Sequence, residues 1–152
     1  QNAFYNSIGM ETLGLRMERV CDNAKTLAQF FATEYSDIEV NYPGLAGSKW
    51  HDIATEQFGD KFGGIITIRT GNKKRAFGII DALKLPLIVS NIGDTKTLVI
   101  HPESTLNVHS TQEEKETAGV FDDLIRISVG IEDIEDLIDD FKQAIESVKD
   151  VY

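Results

Sequence analysis

Two stretches of this sequence place apolar side chains at intervals of three and four residues, the spacing of one face of an α-helix. The first comprises Met10, Leu13, Met17, Val20, Ala24, Leu27, Ala28 and Phe31. The second comprises Ile134, Leu137, Ile138, Phe141, Ile145 and Val148. The first stripe predicts a helix of about six turns, which is long for a globular helix. We therefore expect part of it to meet a surface outside this sequence.

Between these helices, short apolar runs rich in β-branched residues predict strands. They lie at 38–40, 63–69, 87–89, 97–100 and 124–129. Shorter helices are predicted from Ser48 to Gly59, from Asn72 to Leu83 and over 112–118, with Asn72 as an N-cap residue. No repeat or linker interrupts the pattern. The sequence therefore predicts a single α+β domain over residues 1–152, a small sheet with helices packed on it.

Charge and composition narrow the possible partners. The formal net charge of −10 disfavours nucleic acid and anionic membrane surfaces, because like charges repel. No apolar run approaches the roughly 20 residues of a membrane-spanning helix, and we expect no signal peptide. The single cysteine, Cys21, lies beside the first stripe, so we expect a buried free thiol. A reducing, cytoplasmic location is the expectation that follows.

A self-contained catalytic centre is not indicated. His51, His101 and His109 have no partner at metal-ligand spacing, so we expect surface or hydrogen-bonded histidines and no metal. No phosphate-binding loop, dinucleotide fingerprint or nucleophile elbow occurs.

Arg126 stands out within the last predicted strand. Alternation places Ile125, Ile127 and Val129 on one face and Arg126 on the other, with Leu124 and Ser128. A strand arginine in this position is either a solvent-facing residue or an anion receptor, and the alternation leaves both open.

Several segments resemble signatures of one enzyme family. The run 124–133, LIRISVGIED, resembles the closing signature of the pyridoxal-phosphate (PLP) enzymes of Cys/Met metabolism. The run 91–102, NIGDTKTLVIHP, is similar to a second signature, in the form typical of the O-acetylhomoserine sulfhydrylase branch. The segments 9–19 and 42–45 also match. The resemblance covers essentially the whole sequence, but only the last third or so of a full-length enzyme.

This resemblance implies the small C-terminal domain of a fold-type I PLP enzyme. Such a domain has a mixed or antiparallel sheet and is preceded by a long N-terminal helix. In the family, the arginine at the position of Arg126 binds the substrate α-carboxylate through two hydrogen bonds, because the paired donors of a guanidinium match the two carboxylate oxygens. Asn91, where the lyase and cystathionine-synthase branches usually have serine, lies beside the same carboxylate, and Ile92 is the third predicted substrate-binding position. Leu106 and Asn107 replace the family's usual threonine and histidine, which leaves a substrate role for that loop open.

The implied parent enzyme replaces the acetate of O-acetylhomoserine by sulfide or a thiol, giving homocysteine or methionine. Cystathionine γ-synthase and methionine γ-lyase are alternatives, as is a non-catalytic binding module that kept the fold. PLP is the implied cofactor of the parent, which we expect to be a homotetramer. The Schiff-base lysine belongs to the large PLP-binding domain, absent here, and Lys96 falls inside the small-domain signature. We therefore expect no catalytic residue, no bound PLP and no activity in this sequence alone.

Overall fold

The computed structural model describes residues 1–149, which contain six α-helices and five β-strands. The helices are α1 (Asn2–Glu11), α2 (Leu13–Glu34), α3 (His51–Phe58), α4 (Lys73–Ala82), α5 (Gln112–Thr117) and α6 (Ile134–Ser147). The strands are β1 (Glu39–Asn41), β2 (Ile65–Arg69), β3 (Leu87–Ile88), β4 (Leu98–Ile100) and β5 (Leu124–Ser128). A short 3₁₀-helix, Pro102–Ser104, follows β4. Every predicted strand therefore exists, with boundaries moved by one or two residues.

The five strands form one mixed sheet in the spatial order β1-β2-β5-β4-β3. Its pairs are antiparallel except for β3 and β4, which are parallel. The central position of β5 places Arg126 opposite Thr67 of β2 and Ile100 of β4. The predicted α+β fold with a small mixed sheet is confirmed.

The core lies between one face of this sheet and helices α2, α4 and α6. Ile125 and Ile127 of β5 are fully buried there, as are Ile66 and Ile68 of β2. Phe31 of α2 meets Phe141 of α6 edge-on, with ring centroids 5.2 Å apart. Each such side chain contributes about 1.5–3 kcal/mol by leaving water. The second half of the first predicted stripe and the whole of the second thus supply this core, together with Ile79 and Ile80 of α4.

The first predicted helix differs from the structure in one respect. Two helices replace it, because Thr12 has φ −107° and ψ 5°, outside the α conformation. No residue of α1 is buried, whereas one face of α2 is buried between Val20 and Phe31. Met10, Leu13 and Met17 of the stripe remain exposed. The first half of the stripe therefore has no covering surface within residues 1–149.

Local signals elsewhere agree with the prediction in part. The Asn72 side chain accepts a hydrogen bond from the main-chain N–H of Arg75 and caps α4 as expected. The predicted helix at Ser48 begins later, at His51, and leaves Trp50 and Ile53 more than half exposed. Cys21 is buried and free, as predicted. Within the described part of the chain, no helix is both long enough and apolar enough to cross a bilayer.

Candidate functional site

Arg126 lies at the centre of the sheet, on the face turned away from the helical core. Its neighbours on that face, Leu124 and Ser128, are 8% and 3% exposed, and Ile100 across the ladder is 3% exposed. Arg126 itself is only partly buried. The guanidinium therefore sits among covered side chains rather than on an open strand surface, which distinguishes it from an ordinary solvent-facing arginine.

The contacts of the Arg126 guanidinium leave donors free. Its Nη2 donates to the main-chain oxygen of Asn91, at 2.9 Å. Its Nε is covered by protein and has no acceptor among residues 1–149. A buried donor without an acceptor costs about 1–3 kcal/mol. Because the covered Nε is closed to a ligand as well as to water, an incoming carboxylate would bind at the terminal Nη atoms, whose planar fork matches its two oxygens.

Asn91 and Ile92 lie on the connection between β3 and β4. The structure brings Asn91 to Arg126 through its main-chain carbonyl, across 35 positions of sequence, rather than through its side-chain amide. Ile92, the next residue in the sequence, is 66% exposed. Two of the three predicted site residues are thus in direct contact, and the third is adjacent in sequence.

Residues that motif matching did not single out hold the rest of this loop. Thr97 donates both its main-chain N–H and its hydroxyl to the carboxylate of Glu132, which follows β5. The main-chain N–H of Gly130 donates to the Thr97 hydroxyl oxygen at 2.9 Å. Gly130 and Glu132 stand just before the last predicted helix, so the sequence shows both. Nothing in the sequence indicates that they bond to Thr97, 33 to 35 positions earlier.

A groove of about 860 Å³ lies on the same face of the sheet, lined by Thr67 and Leu124, the neighbours of Arg126, but not by Arg126 or Asn91 themselves. It runs between β1, the segment 45–50 and Phe121. Arg69 lines it, but its guanidinium is already bonded to Asp123 at 3.0 Å and stacked over Phe121 at 4.0 Å. The groove therefore offers less unsatisfied donor capacity than the position of Arg126.

Two of the three histidines, His51 and His101, lie within hydrogen-bond distance of other protein groups. Nε2 of His101 lies 2.8 Å from the Asp122 carbonyl oxygen, and its Nδ1 lies 2.9 Å from Ser104 Oγ. Nδ1 of His51 lies 2.9 Å from the Pro43 carbonyl oxygen, and His109 is exposed. Among the described residues, no three His, Cys, Asp or Glu side chains are arranged to hold a metal ion.

The segment around Leu106 and Asn107 is held to the body by a charged cluster. Lys73 of α4 and Lys115 of α5 both donate to the Glu103 carboxylate, at 2.7 and 2.6 Å. The hydrogen bonds from Lys115 and then Lys73 lower the pKa of Glu103 from 4.5 to about 2. This carboxylate ties the segment 102–117 to α4, and all three charges are used internally.

The lysines give no indication of a cofactor site. None of the lysines within residues 1–149 is buried, and Lys96 lies in the exposed stretch between β3 and β4. Its main-chain N–H donates to Asp94, which makes it part of a turn. A Schiff-base lysine needs an enclosed position beside groups that hold the cofactor phosphate. The described residues therefore do not fit PLP, while Arg126 fits a carboxylate.

Comparison with known proteins gives matches over nearly the whole of this chain. The family model described as "Cys/Met metabolism PLP-dependent enzyme" matches residues 1–146. An L-methionine gamma-lyase of Fusobacterium nucleatum is 40% identical over 97% of this chain, and the match spans 38% of that protein. A homocysteine synthase of Schizosaccharomyces pombe is 42% identical over 91% of this chain and 32% of its own length.

A solved structure gives the same result. It is of a putative O-acetylhomoserine (thiol)-lyase from Campylobacter jejuni that carries a pyridoxyl-lysine group. The TM-score is 0.86 at 39% identity, over 91% of this chain and 33% of that one. The chain thus spans about a third of the proteins that it matches. On the match to residues 1–146 and these relatives, the chain belongs to the Cys/Met-metabolism family of PLP-dependent enzymes.

Proposed function

We propose that this chain is the C-terminal domain of an O-acetylhomoserine sulfhydrylase and binds the α-carboxylate of the amino-acid substrate. Arg126 is the receptor, and Asn91 and Ile92 form the adjacent wall. The observation that carries the proposal is the position of the Arg126 guanidinium among covered side chains at the centre of the sheet, where Nη2 is bonded to the Asn91 carbonyl oxygen and no acidic side chain of residues 1–149 pairs with the charge. A substrate carboxylate would supply the missing negative charge and accept from the two terminal nitrogens of the guanidinium.

The parent reaction that we propose replaces the acetate of O-acetylhomoserine by sulfide or a thiol. PLP supplies the electron sink in that reaction, held by the large domain through its lysine. This chain contributes substrate binding and no catalytic group, so we expect it to be inactive alone. We further propose a cytoplasmic homotetramer for the parent, with the large domain as the first partner of this chain.

Methionine γ-lyase is the second candidate, and the 40% identical Fusobacterium relative favours it. Asn91 favours the sulfhydrylase, because that branch typically has asparagine where the lyases have serine. Assaying the full-length enzyme with O-acetylhomoserine plus sulfide, and separately with methionine or cystathionine, distinguishes the two. We expect efficient turnover of the acetylated substrate. Turnover of methionine or cystathionine alone at a higher kcat/KM would replace the sulfhydrylase assignment by a lyase.

The role of Arg126 is tested by truncation in the full-length enzyme. Arg126→Ala removes two charge-assisted hydrogen bonds, each of which contributes about 1.5–3 kcal/mol. We therefore expect kcat/KM to fall at least about a hundredfold, since about 1.4 kcal/mol is a factor of ten. Arg126→Lys keeps the charge without the fork and should recover part of the loss.

Lys142→Ala is the matched control, because it also removes one positive charge, from an exposed position on α6. It should change kcat/KM less than twofold, roughly the effect of 0.5 kcal/mol or less. Binding of an amine that lacks the carboxylate should be nearly the same in all variants. Wild-type efficiency in Arg126→Ala would rule out the assignment of the receptor.

A further inference from the structure

We propose that Glu132 is a positioning residue for the carboxylate-binding site, acting on the Asn91 loop through Thr97. This inference deepens the proposed function and rests on it. The loop in question comprises residues 91–97, and the first six of these residues are exposed. It has no helix or strand of its own, so its position depends on a few attachments.

Two attachments to β5 and the turn after it hold the loop, one at each end, and the Thr97 carbonyl oxygen also accepts from the main-chain N–H of Leu87 in β3 at 2.9 Å. At the first, the Asn91 carbonyl oxygen accepts from Arg126. At the second, the Thr95 carbonyl oxygen accepts from the main-chain N–H of Ile131 at 2.9 Å, and Thr97 bonds to Glu132. The same strand and turn, β5 and residues 130–132, thus hold both ends. A shift at the second attachment would be carried to the first, because only a few residues separate them.

Glu132 is the charged part of this second attachment. Its two carboxylate oxygens accept separately from the N–H and the hydroxyl of Thr97, which is fully buried. The Thr97 hydroxyl oxygen in turn accepts from Gly130. Thr97 therefore has its side chain satisfied in both directions, and a neutral amide in place of Glu132 would offer one acceptor oxygen instead of two. Loss of the carboxylate would leave a buried N–H without a partner.

Gly130 makes this close contact possible. A Cβ atom at Gly130 would lie 2.5 Å from the Thr95 carbonyl oxygen and 2.6 Å from the Lys96 carbonyl carbon. Both distances are below any normal contact, and both neighbours are main-chain atoms that cannot rotate away. The absence of a side chain therefore lets the loop approach the turn closely enough for Glu132 to reach Thr97.

Asn23 of α2 supports the turn from the other side. Its side-chain amide donates to the carbonyl oxygens of Gly130 and Glu132, at 3.1 and 2.9 Å, and Asn23 is 2% exposed. The turn is thus fixed to α2, and Glu132 holds the loop against this fixed base. Glu132 therefore fixes the position of the loop beside Arg126, and it does so without contacting the substrate itself.

The test compares variants of the full-length enzyme. Glu132→Gln keeps the size of the side chain but replaces one acceptor by a donor, and Glu135→Gln is the matched control on the exposed first turn of α6. A misplacement of about 1 Å can cost about a hundredfold, so we take about tenfold for a smaller displacement. We expect Glu132→Gln to raise KM for the amino-acid substrate about tenfold and to change kcat and KM for sulfide less than about twofold. Glu135→Gln should behave as wild type.

A non-reactive ligand separates positioning from a general loss of structure. L-Norleucine carries the α-carboxylate and has no leaving group, whereas 1-aminopentane is the same chain without the carboxylate. In Glu132→Gln the inhibition constant of norleucine should rise about tenfold, and that of aminopentane should not change. Equal weakening of both inhibitors, or equal loss in kcat and both KM values, would mean that Glu132 is merely structural and would overturn the inference.

Thr97 provides a second, independent pair of variants. Thr97→Ser keeps the hydroxyl and should stay within about twofold of wild type, whereas Thr97→Val should match Glu132→Gln. The double variant should be no worse than either single variant, because the two residues act as one unit. If Glu132→Gln does not fold, the difference between Thr97→Ser and Thr97→Val decides the question. No difference between them overturns the inference.

These results also separate the inference from the function on which it rests. A normal norleucine constant in Arg126→Ala would reject the carboxylate receptor itself. A large effect in Arg126→Ala with wild-type behaviour in both Glu132→Gln and Thr97→Val would keep the receptor and reject only the positioning role.

Discussion

The junction between α4 and β3 depends on one buried carboxylate, and its removal has a calculable effect on stability. Asp140 of α6 is 6% exposed. Its Oδ2 accepts from the main-chain N–H groups of Lys84 and Leu85, at 2.9 and 2.8 Å. The side chain of Gln143 donates to Asp140 and to the Ala82 carbonyl oxygen, at 3.0 and 2.8 Å. Asp140 and Gln143 therefore close the end of α4 from the neighbouring helix.

The magnitude follows from the number of these bonds. A hydrogen bond to a charged group contributes about 1.5–3 kcal/mol, so the two main-chain bonds alone, without the bond from Gln143, give a gross loss of about 3–6 kcal/mol. Lys84 and Leu85 are themselves exposed residues, so water can reach the freed N–H groups and offset part of the loss. We expect Asp140→Ala to lower the free energy of unfolding by about 2–3 kcal/mol. Asp140→Asn keeps one oxygen and should lose about half as much.

Urea denaturation followed by circular dichroism measures this effect. The control is Asp139→Ala, which removes the same charge from an exposed position one residue earlier on the same helix. The control should change the free energy of unfolding by less than about 0.5 kcal/mol. A loss below 0.5 kcal/mol in Asp140→Ala, with an unchanged m-value, would show that the two N–H bonds do not stabilise the junction and would refute the reasoning.

Three further predictions concern other parts of the chain. The pKa of Glu103 is lowered in the folded state, so its contribution is fully present above its ordinary value of 4.5 and is lost as the pH falls towards about 2. Glu103→Gln should therefore lower the free energy of unfolding by about 1–2 kcal/mol at pH 7 and by almost nothing at pH 2, and an equal loss at both values would contradict the ion-pair explanation. In hydrogen exchange, α1 should be the least protected helix, because none of its residues is buried, and protection equal to that of α6 would count against this. Borohydride treatment of the chain with PLP should label only scattered surface lysines, as seen by peptide mapping; stoichiometric labelling of Lys96 would reject the assignment of the cofactor site to another domain.

The amino-acid sequence by itself determined the local structure of this protein. The periodic stripe of α6, the β-branched runs of the strands and the Asn72 cap were all predictable, because each depends on neighbours within a few positions. The function of Arg126, by contrast, could not be predicted from its neighbours in the sequence. Alternation on β5 left Arg126 either solvent-facing or anion-binding, and only the resemblance to a known family favoured the second.

The tertiary structure decided which of these faces are covered and which distant residues meet. Met10 and Val20 belong to the same stripe, but only Val20 is buried, because the body of the domain covers α2 only from that residue onward. Arg126 meets the Asn91 carbonyl, and Glu132 meets Thr97, because the order of strands in the sheet brings the start of β4 beside the end of β5. Such pairs are separated by 35 positions, far beyond the reach of helical or strand periodicity. Burial and long-range pairing depend on how whole elements pack, and that packing places Arg126 beside a loop that is bonded to Glu132.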